Sequence, residues 1–298
     1  MKIYEDVKIE RDRVQFYINK YGWTPDHNLD WFIDASTSVK SKPAFVEFDD
    51  GGLLVQNGGS EWRIWSDPLS KKESSSNKIA EFAEFVFKNG IEKVWCDDVS
   101  ETIRPELLDK GLSVQPIYYS LFWPVLDMLK YDFNLPGNGF KEIRNARSKF
   151  YREHQVEAKN TSEVDKKDLH KIVDSWYSVV LKKRKEDIFQ EKYHRAIDND
   201  FAGFVTARVL AVDGRLVGIN AGYEVPNLPG RFTGVIGIHD YSLNDLGVIL
   251  WLEDLKWIKN AGYKELDMQG SENDGGLKLK LRFGAIIERK TNTFCIQK

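Results

Sequence analysis

Residues 204–212 and 216–225 are apolar-rich runs joined at Asp213-Gly214, the second alternating Val217, Ile219, Ala221, Tyr223 and Val225 with Gly218, Asn220, Gly222 and Glu224, a pattern that predicts a hairpin with a two-residue turn. The next apolar run, residues 235–241 (VIGIHDY), has strand composition and is too short and Gly-broken for a helix. After a polar stretch, Leu246, Ile249, Leu250, Leu252, Leu255, Trp257 and Ile258 recur near helical spacing up to Asn260-Ala261-Gly262, a usual helix stop. Asn244 and Asp245 are the candidate N-caps. A short strand over 263–268 follows, then the Gly-rich QGSENDGG and the cationic run KLKLRFG.

The first half of the chain repeats this order. Residues 43–48 and 53–56 read as a hairpin through Asp49-Asp50-Gly51-Gly52, with a further strand at 61–65. A polar Ser/Lys-rich loop leads to a helix over 79–88 with Ile79, Phe82, Ala83, Val86 and Phe87 on one face, ending at Asn89-Gly90. A strand at 94–96, a helix over 101–110 and a long strand over 113–125 complete it. Ahead of this unit lies a charged helical segment, a Trp23-Thr24-Pro25 turn, and Trp31, Phe32 and Ile33 as core or groove aromatics. Between the halves, residues 129–139 form a linker with Pro136-Gly137-Asn138-Gly139, and helices are predicted over 140–153, 161–184 and 186–196. The helix ends FVFKNGIEKVW and KWIKNAGYKEL match in both halves, which predicts a duplicated unit. The domains are then 1–128 and 129–298.

Composition adds bounds. With 298 residues, 42% hydrophobic and 30% charged, the chain is an ordinary globular one. A net charge of −3 makes any nucleic-acid contact a matter of local patches. Cys96 and Cys295 fall in separate apolar strands and the N-terminus has no signal pattern, so a cytoplasmic protein without disulfides is expected. Metal-ligand spacing, a Walker loop and a dinucleotide fingerprint are absent from the sequence.

The strand–loop–helix–strand–loop order of 231–285 resembles the donor-binding half of the GNAT acyltransferases. More narrowly, Gly262, Asp267, Gly270, Gly276, Leu277, Lys280, Phe283 and Gly284 match the pattern shared by Fem-type aminoacyltransferases and the C-terminal domain of phosphatidylglycerol lysyltransferases. Gly139, Phe140, Arg144, Asn145, Phe150 and Glu153 resemble the segment that opens the second domain of the lysyltransferase-like family. The resemblance implies an α/β fold of two tandem GNAT-like domains with mixed central sheets. The second half would be catalytic, and the first a degenerate copy without the cationic run. It also implies acyl transfer to an amine or hydroxyl, with no tightly bound cofactor and no metal. The donor would be aminoacyl-tRNA or, failing that, an acyl-CoA. The stretch from Ser242 to Gly247 lacks the glycines that wrap a CoA pyrophosphate, which favours the first. A non-catalytic binding module on the same fold is the remaining alternative.

Candidate residues follow from the chemistry. Acyl transfer develops an oxyanion that needs a positioned donor, and Lys280 is the candidate, with Lys278 and Arg282 as flanking cations. Asp267 ends a strand at the sheet's carboxyl edge, where it could orient an amine. His239, Asp240 or Glu224 could take the amine's proton, directly or through water. Asn220 shares a strand face with Glu224, Gly218 and Gly222, small enough to leave room for substrate. Asp240, Tyr241, Ser242, Asn244 and Gly247 surround a helix N-terminus suited to an anion. Arg144, Arg147 and Arg152 give the linker helix a basic side that could meet tRNA. The expectation joining these is that the turn after Tyr241 and the Lys280 ammonium face one groove.

Overall fold

The computed structural model describes residues 1–183, 189–273 and 275–298. Its first half runs β1 (Lys2–Tyr4), α1 (Arg11–Tyr21), α2 (Leu29–Ser36), β2 (Lys42–Phe48), β3 (Gly51–Asn57), β4 (Glu61–Ile64), α3 (Ser75–Lys88), β5 (Lys93–Ser100), α4 (Ile103–Asp109), β6 (Ser113–Val114) and β7 (Tyr119–Asp127). The second runs α5 (Lys141–Glu153), β8 (Val156–Asn160), α6 (Lys166–Lys183), α7 (Glu191–Asp198), β9 (Thr206–Val212), β10 (Arg215–Glu224), β11 (Arg231–His239), α8 (Leu246–Asn260), β12 (Glu265–Asp267), α9 (Gly275–Arg282) and β13 (Ile286–Gln297). Two sequence expectations end in part outside the described residues: the last residue of the 161–184 helix, and the start of the 186–196 helix at 186–188. The single strand expected over 113–125 is two, β6 and β7, with Pro116 in the break, because proline has no N–H for the ladder.

Among the described residues all thirteen strands form one sheet, in the order β1-β2-β3-β4-β5-β13-β7-β12-β11-β10-β9-β8, with β6 paired to β13. The two halves exchange their last strands. β13, from the end of the chain, lies antiparallel to β5 over Thr291–Gln297 and antiparallel to β7 over Ile286–Thr293. β7, from the first half, pairs in turn with β12. Helices cover both faces. α3 and α4 pack on the first half with Ile79, Phe82 and Leu107, while α1 and α2 cover its other face with Val14, Ile18 and Phe32. In the second half α5 and α8 cover one face, and α6 and α7 the other.

The duplication is visible in the backbone. β4 pairs parallel with β5 up to Ile64↔Cys96, and β11 pairs parallel with β12 up to Thr233↔Asp267. Two residues past Cys96 stands Asp98 with φ 52°, and two past Asp267 stands Gln269 with φ 65°. A left-handed backbone is uncommon for a residue with a Cβ. Its recurrence at matching positions shows the same turn built twice.

Asn220, Gly218 and Gly222 do not open a pocket, contrary to the expectation from sequence. The Asn220 amide donates to the Leu250 carbonyl of α8 at 3.0 Å. A Cβ on Gly218 would meet Leu250 at 3.0 Å, and one on Gly222 would overlap the Phe232 ring and the Thr233 carbonyl. The missing side chains are what let α8 and Phe232 seat against β10. Gly222→Ala is therefore expected to cost about 2–4 kcal/mol through overpacking, measured by urea denaturation; a loss under about 0.5 kcal/mol would contradict this packing.

Candidate active site

β11 and β12 are hydrogen-bonded only over Arg231–Thr233 and Glu265–Asp267. Beyond that point β11 continues to His239, while the chain after Asp267 turns away and bridges to β7 at Phe122↔Ser271. The divergence leaves a wedge. On its β11 side, Ala221 pairs with Ile236 and Gly222 with Gly234, so Val235 is bulged out of the ladder; bulges of this kind commonly re-aim a strand beside a site. The first half has the same wedge between β4 and β5, but there it is stitched shut. The Asp67 carboxylate accepts from the Ser100 backbone N–H at 2.8 Å and its hydroxyl at 2.7 Å. In the second half the residue matching Ser100 is Ser271, and its hydroxyl accepts from Lys280 instead, at 2.6 Å.

Lys280 sits at this wedge. α9 holds it half-buried, with Nζ also donating to the Gln269 carbonyl at 2.9 Å. Leu277 is buried, and Leu281 on the same helix is exposed. Asp267 is almost fully buried and accepts from the Gln269 N–H at 2.9 Å. Burial raises its carboxyl above the usual range, opposed by Arg289, Arg231 and Lys280. The Gln269 side chain donates to Thr233 Oγ1 at 2.8 Å and ties the loop to the start of β11. Lys280, Asp267, Gln269 and Thr233 thus form one constellation.

The other candidates lie elsewhere. His239 ends β11 six residues beyond Thr233, roughly 20 Å away at strand rise, so the turn after Tyr241 does not face Lys280 directly. Burial lowers the His239 pKa, keeping the ring neutral, and the ring lies against the first turn of α8, where a Cβ on Gly247 would meet it at 3.1 Å. Asp240 accepts from Arg215 at 2.6 Å and from the Ser242 N–H at 2.7 Å. Tyr241, Ser242 and Asn244 are exposed, and Asp245 precedes α8 as its N-cap, with φ 66° and no side-chain cap hydrogen bond. Glu224 accepts from the Gly230 N–H at 2.9 Å and closes the β10–β11 turn. Lys278 is exposed, and Arg282 pairs with Glu142 at 2.8 Å. Arg144 donates to the Leu135 and Gly137 carbonyls and Arg147 to that of Phe133, so both fasten the linker. Arg152 is exposed beside Glu153.

Two residues missed in the sequence complete the site. Arg289, on the exchanged strand β13, stacks on Trp123 of β7 at 3.8 Å, with Trp23 at 5.7 Å on another side. Over it lies the loop from Trp23 to His27. That loop is anchored to both halves: Tyr223 donates to the Pro25 carbonyl at 2.7 Å, Trp65 to the Asp26 carbonyl at 3.1 Å, and His27 Nε2 meets the Asp67 carbonyl at 2.8 Å. His27 Nδ1 accepts from the Trp23 N–H at 3.0 Å, and burial lowers the ring's pKa to about 4, so Nε2 carries the proton. Asp26, Asp67, Asp98 and Asp267 all feel the Arg289 charge, and burial raises all four carboxyls. The Asp26 carboxyl is pushed up to about 7, with Asp267 and Asp67 adding to the effect of burial. The Trp-Thr-Pro turn was legible in the sequence. Its position across from a residue of the last strand was not.

This architecture is the acyltransferase fold of the GNAT type, in tandem. Residues 37–227 match the family of phosphatidylglycerol lysyltransferase C-terminal domains, and the chain belongs to that family. The match stops short of the wedge loop, Lys280 and Arg289. Among solved structures, the C-terminal domain of a putative lysylphosphatidylglycerol synthetase from Agrobacterium fabrum superposes with a TM-score of 0.69 at 15% identity, covering 98% of this chain and 92% of that one. FemX gives 0.61 at 11% over 100% and 98%. A tandem GNAT protein from the clavulanic acid biosynthesis pathway gives 0.61 at 11% over 99% and 98%. At such identities the likeness establishes the fold. No curated protein matches the chain.

Asp26 supplies a pH signature. Its folded pKa of about 7 lies above the unfolded value of 3.8, so its neutral form stabilises the fold fully below about pH 4, and that contribution is lost as pH rises through 7. Between pH 4 and 8 the wild type should lose of order 2–4 kcal/mol more than Asp26→Asn, measured by urea denaturation across that range; parallel curves would contradict the assignment.

Proposed function

We propose that the chain transfers an aminoacyl group, from aminoacyl-tRNA, to an amine or hydroxyl acceptor at the second-half wedge. The observation that carries this is the inward hold on Lys280 beside the buried Asp267, at the point where β11 and β12 part. An acyl carbonyl entering the wedge meets the Lys280 ammonium, which stabilises the oxyanion that forms on attack. The acceptor's nitrogen or oxygen bonds to the acyl carbon, the ester C–O bond to the tRNA ribose breaks, and the released hydroxyl takes a proton. Asp267, raised by burial, is suited to collect the proton that the acceptor gives up.

Family membership supports this reading, since the family is defined by a lysyltransferase. The acceptor named there, phosphatidylglycerol, is one member of the hydroxyl class. Among the described residues no helix is long and apolar enough to cross a membrane, so a lipid acceptor would be met from outside the bilayer. The α8 N-terminus argues against acyl-CoA. The His239 ring packs on its first turn, and Asp240 and Asp245 flank it, a poor setting for a pyrophosphate. A non-catalytic binding module is the second reading; Trp123 and Trp23 around Arg289 favour it, because they fill part of the space between the halves.

Lys280→Ala should lower transfer about 100-fold or more with the fold intact by circular dichroism. The assay offers radiolabelled aminoacyl-tRNA and acetyl-CoA side by side to a pool of amines and lipid hydroxyls. Unchanged transfer removes Lys280 from the mechanism, acetyl transfer alone establishes the CoA alternative, and no transfer from either donor establishes the binding module.

A further inference from the structure

α6 and α7 carry the same short pattern. His170-Lys171-Ile172-Val173-Asp174 in one and His194-Arg195-Ala196-Ile197-Asp198 in the other each set a histidine four residues before an aspartate, a spacing that puts both on one helix face. The structure crosses them. His170 Nε2 meets Asp198 Oδ1 at 3.1 Å, His194 Nε2 meets Asp174 Oδ1 at 3.3 Å, and the two Nδ1 atoms lie 2.7 Å apart. None of the four belongs to the wedge.

The geometry counts the protons. The ring centroids are 5.0 Å apart and the planes differ by 26°, so the rings meet edge to edge, with both Nδ1 atoms on the line between them. Two bare nitrogens at 2.7 Å would repel, and so would two N–H groups; one proton between them makes a hydrogen bond. A metal ion in that place would need about 2 Å to each nitrogen, for which the gap is too short. Each Nε2 faces a carboxylate, which accepts, so each carries its own proton. The pair thus holds three ring protons, one more than two neutral imidazoles, and its single positive charge lies between two carboxylates.

The other charged groups on the packed elements have partners of their own. On α6, Lys166 donates to the Asp198 carbonyl at 2.9 Å and pairs with Asp200 at 2.6 Å, and Lys171 pairs with Asp168 at 2.7 Å. On α7, Lys192 lies over the Trp31 and Tyr193 rings and Arg195 donates to the Asp34 carbonyl of α2 at 2.7 Å. The Asp34 carboxylate accepts from Asn199 at 2.8 Å, and Asp30 pairs with Arg11 at 2.6 Å. At the ends of β10 and β11 beneath α6, Arg215 and Asp240 pair at 2.6 Å. Asp165, Lys167, Lys182 and Glu191 are the remaining charged groups near these helices among the described residues.

We propose that His170, His194, Asp174 and Asp198 form a pH-sensitive latch between α6 and α7, closed at three ring protons and opened both by a fourth and by loss of the third. A fourth proton sets two N–H groups against each other; loss of the third leaves two lone pairs facing, or turns a bare Nε2 to a carboxylate. The other ties of α7 run to the first half, through Arg195 and Asn199 to Asp34 and through the Tyr193 ring beside Trp31 at 6.1 Å. Trp176 and Tyr193 keep an apolar contact between α6 and α7 at any protonation, their centroids 5.3 Å apart. An open latch therefore loosens α7 from α6 and leaves it on α2, so the join of the two halves softens on this face at both extremes. Imidazoles change charge between roughly pH 5 and 8, and the closed state belongs within that range.

Two measurements on the full chain test the latch. Nitrogen-15 NMR of histidine-labelled protein, titrated across that range, should show a state in which both Nε2 atoms are protonated and one proton is spread over the two Nδ1 atoms. His170→Gln and His194→Gln identify the signals. A pair that passes from two ring protons to four without such a state overturns the latch. Amide hydrogen exchange, corrected for intrinsic rates, reads the opening of α7. At its tightest the wild type should open at least about tenfold less than His194→Gln, the worth of a charge-assisted hydrogen bond. On the acid side the open form binds one proton more than the closed form, and on the alkaline side one fewer. The advantage over the variant should therefore shrink on both sides, by up to about tenfold per pH unit. The Asp26 effect is common to both proteins and drops out of the comparison. An advantage that is absent, or that changes in one direction only, overturns the latch. Should His194→Gln fail to fold, the proton count in the wild type still decides. None of these readouts depends on transfer at the wedge.

Discussion

The last strand, β13, hydrogen-bonds to β5 on one edge and to β7 on the other, and this insertion makes the two halves one continuous sheet. Without it β5 has no neighbour on that side, β7 keeps only β12, and Arg289 leaves the centre of the molecule. The insertion also fixes what lies at the join. Where two independent domains would present two solvated sheet edges, the exchange buries both. It leaves one continuous sheet with a polar loop and a stacked Arg289–Trp123 pair over its middle. A cation–π contact in such a desolvated setting is worth roughly 2 kcal/mol, and it holds in place a charge that four carboxylates share.

Two copies of one wedge have been put to different uses. In the first half, Asp67 spans the gap to Ser100 and closes it. In the second, the matching serine turns to Lys280, and the strand opposite carries Ile236 where the first half has Asp67. One carboxylate in the first half thus stands where the second half has an aliphatic residue, and the serine of the second wedge is left to Lys280. Closing the first wedge also places the Asp67 carbonyl for His27, which steadies the loop bearing Asp26. The first half thus holds the loop that lies over Arg289.

Local pattern carried much of this into view. The repeat was legible because Asn89-Gly90 and Ala261-Gly262 end amphipathic helices just before similar segments, GIEKVW and GYKEL, and such signals depend only on neighbours in the chain. Lys280 and Asp267 came from the same stretch. The strand exchange was not legible, because β7 and β13 show the same period-2 pattern whichever sheet they join. Asp26 and Arg289 were hidden for that reason: only the exchange brings them together. The glycines of β10 were misread, since an absent side chain looks alike whether it admits a substrate or a phenylalanine ring.

The central claim is that the exchanged strands make the two halves one cooperative unit. Residues 1–128, produced alone and followed by amide hydrogen exchange, test it most directly. The account predicts no slowly exchanging amides in β5 or β7, with protection appearing once residues 129–298 are added. Full protection of β5 in the isolated segment would contradict it.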